Sequence, residues 1–394
     1  MRRKLLFVLL AFLLVTGVAC TKNQAPAEVA KEDTEADEIK EEKDSNEEMA
    51  DGTLVSEGMM DIEYATQFTI EKFKGGYRLV RNIFMDEPVL VVPEGKPVPE
   101  NLEEGTQIIQ LPVTKSYLAG SNMVAMADGI GAIEKVTVVG QDVDWHFQSI
   151  NDQLESGHTV FAGQGDKADY ELIGTSEPQF AVDQSSHEKH FDKFRLFEIP
   201  LVAEENTAEP NLFARMEWMR CLGVLYGIEE QADAYYNDQK SKIEAIIKGG
   251  ETGLMVGMGA KSATSGKFST RKSGDFRADY IRYAGGKYNL EGFESDKGGP
   301  ATLTDEDFYT KFKDCDILIW SQRIPNDGTM EDLIELYPPI VDFRAYQNNK
   351  IYVQARKFIQ MGARNPADVV TDIHNILISE EPITTESIIH VPKN

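Results

Sequence analysis

Residue types capable of chemistry occur in this sequence at spacings that stop short of any catalytic pattern. Gly259 to Lys267 has the glycine and lysine content of a phosphate loop, but the interval to Gly266-Lys267 is two residues too long, and Phe268 stands where a Mg2+-binding hydroxyl is required. Gly163-Gln-Gly165 lacks the third glycine and the later acid of a dinucleotide fingerprint. His187-Glu188-Lys189-His190 is one residue short of the zinc-protease spacing, and no Gly-x-Ser-x-Gly elbow occurs. These stretches read as turns and solvated faces, and no enzyme activity is expected.

Charge stands out instead. The formal net charge is −26, which argues against nucleic acid as a partner and fits an exported protein. Two runs nonetheless contain no Asp or Glu: Lys261 to Gly274, with Lys261, Lys267, Arg271 and Lys272, and Phe343 to Ala367, with Arg344, Lys350, Arg356, Lys357 and Arg364. Facing a cleft, they would focus positive potential on an anionic ligand. Lys267, Arg271, Arg323, Arg356 and Arg364 are the candidate cationic contacts. Tyr117, Trp145, His146 and Gln184, which follow strands of the first half, are candidates for the opposite wall. The alternative is that the basic residues only balance acids on neighbouring loops. The six His are scattered, and no metal-ligand spacing recurs among them.

The elements that must position these residues follow an α/β grammar. Residues 61–92 alternate as strands around a Gly75-Gly76 turn, so 59–105 reads as a β-rich extension. From Thr106 to Val202 short strands and helices take turns, with Val136–Val139 and Phe180–Val182 extended and Asn122–Gly129 and His187–Phe194 helical. After residue 228 the same alternation returns: Gly253–Gly257, Ile317–Trp320 and Ile351–Val353 as strands, with Asp275–Ala284, Asp305–Lys311, Thr329–Leu336 and Pro366–Ile378 as helices. That order predicts two α/β lobes, 59–208 and 228–394, each with a parallel or mixed sheet whose loops wall a ligand. Between them, Glu209 to Gly227 reads as one helix of about 17 residues, roughly 25 Å long, started by Pro210 and stopped by Gly227. Its apolar residues cover so much of its girth that it must be wrapped by protein, either as a spine joining the lobes or as a buried helix within one.

The N-terminus predicts export. Arg2, Arg3 and Lys4, the apolar run Leu5 to Val15 and Thr-Gly-Val-Ala-Cys20 describe a signal peptide over 1–19. The cysteine gives it the form of a lipoprotein signal, with Cys20 as the lipidated first residue and the membrane reached through that anchor. Residues 21–58 carry thirteen acidic and four basic side chains and almost no large apolar residue, so 20–58 is expected to be an acidic tether. Cys221 and Cys315, each within an apolar pattern, are expected as buried thiols rather than a disulfide.

The order of several motifs adds a resemblance. Ala168-Asp-Tyr-Glu-Leu with Pro178-Gln-Phe-Ala-Val, Leu222-Gly within the expected spine, Tyr283-Ala-Gly-Gly-Lys-Tyr-Asn, Leu303-Thr-Asp-Glu-Asp-Phe with Asp316-Ile-Leu-Ile, and Phe343-Arg-Ala-Tyr-Gln-Asn-Asn-Lys-Ile-Tyr-Val occur in the order found in class III substrate-binding proteins of ABC importers. From about Ile108 onward the chain resembles that group, which carries ferric siderophores, haem and cobalamin; the segment 61–105 departs from its shortest members. The resemblance implies a rigid interlobe helix, a modest closing motion, a metal chelate held between the lobes without a permanent cofactor, and a membrane permease with its ATPase as partner. It also implies one docking glutamate per lobe, at Glu188 and Glu306, and a monomeric receptor. Capture of a bare Zn2+ or Mn2+ ion, or an exported hydrolase, are the competing readings.

Overall fold

A computed structural model describes residues 52–393; the expected signal peptide, Cys20 and most of the tether lie outside the described residues. Hydrophobic alternation builds the first sheet. β1 (Ser56–Met59), β2 (Phe68–Phe73), β3 (Arg78–Asn82), β4 (Val89–Val92) and β5 (Gln107–Gln110) lie in that order, antiparallel up to β4 and parallel between β4 and β5. Gly75 and Gly76 both take positive φ (79° and 89°), which is what lets β2 turn into β3. β1 begins inside the stretch expected to be tether. Phe68, Ile70, Val80, Val89 and Val91 join the core of the first lobe, so the extension is part of that lobe.

The second sheet is formed by β6 (Ser116–Leu118), β7 (Val136–Val139), β8 (Val160–Phe161), β9 (Ala181–Gln184) and β10 (Leu201–Glu204). All its pairings are parallel, and the strand order is β10-β9-β6-β7-β8. Parallel strands need crossover helices, and these cover both faces: residues of Ser121–Gly129 and Gln148–Ser156 pack on one side, those of Tyr170–Thr175 and Phe191–Leu196 on the other. The first two sheets meet edge to edge. The Gln107 side chain donates to Leu201 O (3.2 Å) and accepts from Leu201 N (2.8 Å), replacing a strand neighbour for β10, while Asn82 Nδ2 donates to Ala203 O (2.6 Å).

The second lobe holds β11 (Met255–Lys261), β12 (Phe268–Arg271), β13 (Lys287–Tyr288), β14 (Pro300–Leu303), β15 (Ile317–Trp320), β16 (Ile351–Gln354) and β17 (Ile388–His390). The order is β14-β12-β11-β15-β16-β17, with β13 beside β11. β11, β13, β15 and β16 run parallel; β12, β14 and β17 are antiparallel to their neighbours. The lobe is therefore mixed, and its core gathers around Phe308, Trp320, Tyr337 and Tyr352.

The connection differs from the single helix expected over 209–227. Helical hydrogen bonding runs through Leu212–Met216 and again through Trp218–Tyr226, with Glu217 between them holding right-handed dihedrals (φ −64°, ψ −15°). Leu212, Phe213 and Met216 pack in the second-lobe core; Trp218, Met219, Leu222 and Tyr226 pack in the first. Gly227 stops the second segment at φ 68°, as its sequence position predicts. The following helix, Glu229–Lys248, crosses as well: Ala232 belongs to the first-lobe core and Tyr236 and Ile243 to the second. A Cβ at Gly223 would lie 2.3 Å from Ala232 Cβ, so glycine is required for this helix pair to approach. Among the described residues no helix is long and apolar enough to cross a membrane.

Candidate ligand site between the lobes

Parallel strands direct their C-terminal ends toward one edge of a sheet, and the loops that leave that edge form the natural ligand wall. In the second lobe the loops after β15 and β16 line a cavity of about 450 Å3. Gln322, Arg323, Asn326, Gln354 and Arg356 supply polar groups, and Ile324, Val353, Phe358, Ile359 and Ile389 supply apolar surface. Arg323 is exposed and also borders a neighbouring cavity of about 330 Å3 with Ser262, Ala263 and Thr264. No ion-pair partner holds it among the described residues. Arg356 is 69% exposed and lies 3.7 Å from Asp144 of the first lobe, itself 69% exposed. A pair so wet is weak, which leaves the guanidinium available to a ligand.

Arg364 is committed elsewhere. Its Nε meets the carboxylate of Asp128, which is nearly buried and also accepts from Ser149 Oγ. This tie crosses the lobes, as does a reciprocal pair: Gln360 Oε1 accepts from His146 N (2.9 Å) and Gln360 Nε2 donates to Asp144 O (2.9 Å). The helix Phe358–Arg364, which the sequence pattern does not mark, carries both contacts and places Ala363 in the first-lobe core. His146 and Arg364 line a second cavity, of about 250 Å3, shared by both lobes with Lys357, Gln360 and Asp368.

The remaining candidates divide. Gln184 ends β9, and its amide nitrogen is 3.4 Å from where a Cβ of Gly120 would stand, with Glu204 Oε2 3.7 Å from the same point. These residues gather at the ends of β6, β9 and β10, where the strand order reverses, the usual crevice of such a sheet. Burial pushes the Glu204 carboxyl up to about 7, against the attraction of Arg215. Trp145 is buried, edge-on to Phe147 (5.6 Å). Tyr117 is not on the wall. It is buried against Phe194 (5.8 Å), because β6 is covered on that face by Phe191–Leu196, and burial raises its phenol. Lys267 sits in the exposed β11–β12 turn, and Arg271 lies at the end of β12, 4.0 Å from buried Asp275; neither lines the cavities described. Of the nine expected contacts, Arg323, Arg356, Arg364 and His146 thus line cavities, the first two in the larger one.

Glu188 and Glu306 are both exposed and without ion-pair partners among the described residues. Glu188 lies in a 3-10 turn, Ser185–His190, rather than opening an α-helix, and Glu306 lies in the first turn of Asp305–Phe312, capped by Thr304. Cys221 and Cys315 are free and buried, their thiols pushed up to about 12 by burial. No three His, Cys, Asp or Glu side chains converge among the described residues.

No known family model matches the sequence. Two uncharacterized lipoproteins of Methanocaldococcus jannaschii are similar to it. One is 22% identical over 317 residues, covering 76% of this chain and 75% of the relative; the other is 24% identical over 338 residues, covering 82% and 84%. Among solved structures, the periplasmic haem-binding protein HutB of Vibrio cholerae matches with a TM-score of 0.55 at 15% identity, over 68% of this chain and 99% of its own. A protein of the Fe3+-hydroxamate transport system of Saccharomonospora viridis matches at 0.54 and 15% identity, over 68% and 94%. The periplasmic vitamin B12-binding protein BtuF of Vibrio cholerae matches at 0.50 and 11%, over 68% and 97%. The chain has the α/β fold of the class III substrate-binding proteins of ABC importers, and each of these structures corresponds to about two thirds of it.

Proposed function

We propose that this protein is the extracytoplasmic receptor of an ABC importer, capturing a metal chelate that carries negative charge and passing it to a membrane permease driven by a cytoplasmic ATPase. Ferric siderophore is the first choice, haem and cobalamin the next, in keeping with what the structural neighbours are named for. The observation that carries the charge assignment is the larger cavity, where Arg323 and Arg356 face solvent over an apolar floor, Arg323 with no ion-pair partner among the described residues and Arg356 beside an equally exposed Asp144. That combination suits a ligand with an apolar or aromatic body and anionic groups at its periphery. Cys20 would hold the receptor at the membrane as a lipoprotein, and Glu188 and Glu306 would meet cationic pockets on the permease.

The test is a fluorescence titration of the purified protein, using its three tryptophans, against a ferric siderophore, haemin and cobalamin. Saturable quenching by at least one chelate, weakened by added salt as rim charge requires, is expected. A response only to a neutral sugar or a peptide would overturn both the ligand class and the role of the two arginines.

A further inference from the structure

We propose that residues 61–67 form a strap that sets the angle between the two lobes, holding the cleft at one width in the absence of ligand. The starting point is a pair of buried acids on the connecting segment. Glu217, at the junction of its two helical pieces, is fully buried and accepts three successive backbone N–H groups, from Glu63 (2.9 Å), Tyr64 (2.8 Å) and Ala65 (2.6 Å). Consecutive amides aimed at one carboxylate make an anion-binding nest, here filled by the protein's own side chain. Glu209, also buried, accepts from Thr66 N (2.8 Å), Thr66 Oγ1 (3.0 Å), Gln67 N (3.3 Å) and Trp218 Nε1 (2.9 Å). Every oxygen of both carboxylates is engaged; of the eight donors six come from the strap and two, Trp218 Nε1 and Arg220 Nη1 (3.5 Å to Glu217), from the segment it crosses.

The apolar contacts of the strap reach both lobes. Tyr64 packs against the second-lobe core and lies 5.3 Å from Phe213; Ile62 and Ala65 pack against the first-lobe core. Lys240, from the crossing helix Glu229–Lys248, closes the outside, 2.7 Å from Glu63 and over the Tyr64 ring at 4.7 Å. Arg220 Nη1 donates to Asp61 O at 2.5 Å. The junction at Glu217 is one of the places where the chain changes from one core to the other, the helix Glu229–Lys248 being another, so a rotation of one lobe against the other must alter the geometry there. Charge-assisted bonds out of water are costly to break or bend. Hinges need residues free to absorb a change in φ and ψ, and the strap removes that freedom where it would be used.

The experiment measures lobe separation in the full chain carrying Cys20→Ser, with spin labels at Glu155→Cys on the first lobe and Glu335→Cys on the second, both exposed positions. Buried Cys221 and Cys315 stay unlabelled. The parent protein should give one narrow distance distribution. Glu217→Gln should widen it about twofold or more, and amide exchange at residues 63–67 should accelerate on the order of tenfold. Accelerated exchange with an unchanged distribution overturns the proposal, because the strap would then be released without consequence for the lobes. Unchanged exchange and width overturn it equally, by showing that the carboxylate holds nothing. Should Glu217→Gln fail to fold, Tyr64→Ala with Lys240→Ala frees only the outer face of the strap; broadening supports the proposal and an unchanged distribution overturns it.

Discussion

At the connection between the lobes, Glu209 and Glu217 are buried and every carboxylate oxygen meets a donor. At the cleft, Arg323 and Arg356 stand in solvent, one without an ion-pair partner among the described residues and the other 3.7 Å from an equally exposed Asp144. Both regions concentrate charge in a strongly acidic chain, and both join the lobes. Buried charge with all its hydrogen bonds made is tied to the fold and cannot serve a ligand; exposed charge contributes little to the fold and is free to do so. The comparison separates residues whose loss should unfold the protein from those whose loss should only disarm it.

The largest effect should come from Glu217→Ala, which leaves three strap amides without their acceptor. A loss of stability on the order of 4 kcal/mol is expected from the unmet donors, read as a lowered midpoint in urea. A loss below about 1 kcal/mol would mean that water replaces the carboxylate at little cost, and the contrast with the cleft would disappear.

Glu204 sharpens the same contrast through pH. Its folded pKa of about 7 lies above its ordinary 4.5, so the folded state binds the proton more tightly than the unfolded chain. The stability linked to that proton is present below pH 4.5 and is lost as pH rises through about 7, in total about 3 kcal/mol for such a shift. Glu204→Gln should flatten the fall in stability between pH 5 and 8 by most of that amount. An identical slope in the variant would place the titration on other buried acids, such as Asp275 or Asp279, whose carboxyls burial also raises.

Much of this architecture is legible in sequence. Val136–Val139, Ile317–Trp320 and Pro366–Ile378 fall where their apolar periodicity, turn signals and proline put them, and Gly227 marks the stop that it forms. The burial of Glu217 as acceptor for the 63–65 amides is not legible, because helical periodicity is a local property and these partners, some 150 positions away, are set by tertiary contact. For the same reason the acid-free run groups Arg364 with Arg356, although Asp128, far off in sequence, claims it. Tyr117 reads as following a strand but lies within β6, on the face covered by Phe191–Leu196, and which face of a strand stays open is settled only by the position of the covering helix. The cavity residues Ser321, Gln322 and Gln354 could have been found by taking the polar side chains that directly follow the expected strands ending at Trp320 and Val353.

At the cleft, Arg323→Ala with Arg356→Ala should change folding stability by no more than about 0.5 kcal/mol while weakening an anionic chelate about tenfold or more and reducing the salt dependence of binding. A fall in stability matching that of Glu217→Ala would erase the distinction between the two regions. The smallest effect on the folded protein is expected from Glu188→Ala with Glu306→Ala. Both side chains are exposed and have no ion-pair partner among the described residues, so melting temperature and chelate affinity should stay unchanged while uptake by whole cells collapses. Normal uptake would remove both residues from permease docking.

The most direct measurement is the anomalous scattering of iron in crystals of the protein grown with a ferric chelate. The metal should appear between the lobes, beside the loops after β15 and β16, with anionic groups of the chelate directed at Arg323 and Arg356. Iron bound away from that cavity, or a bound chelate whose charged groups ignore both arginines, would contradict the assignment of the cleft as an anionic-chelate site.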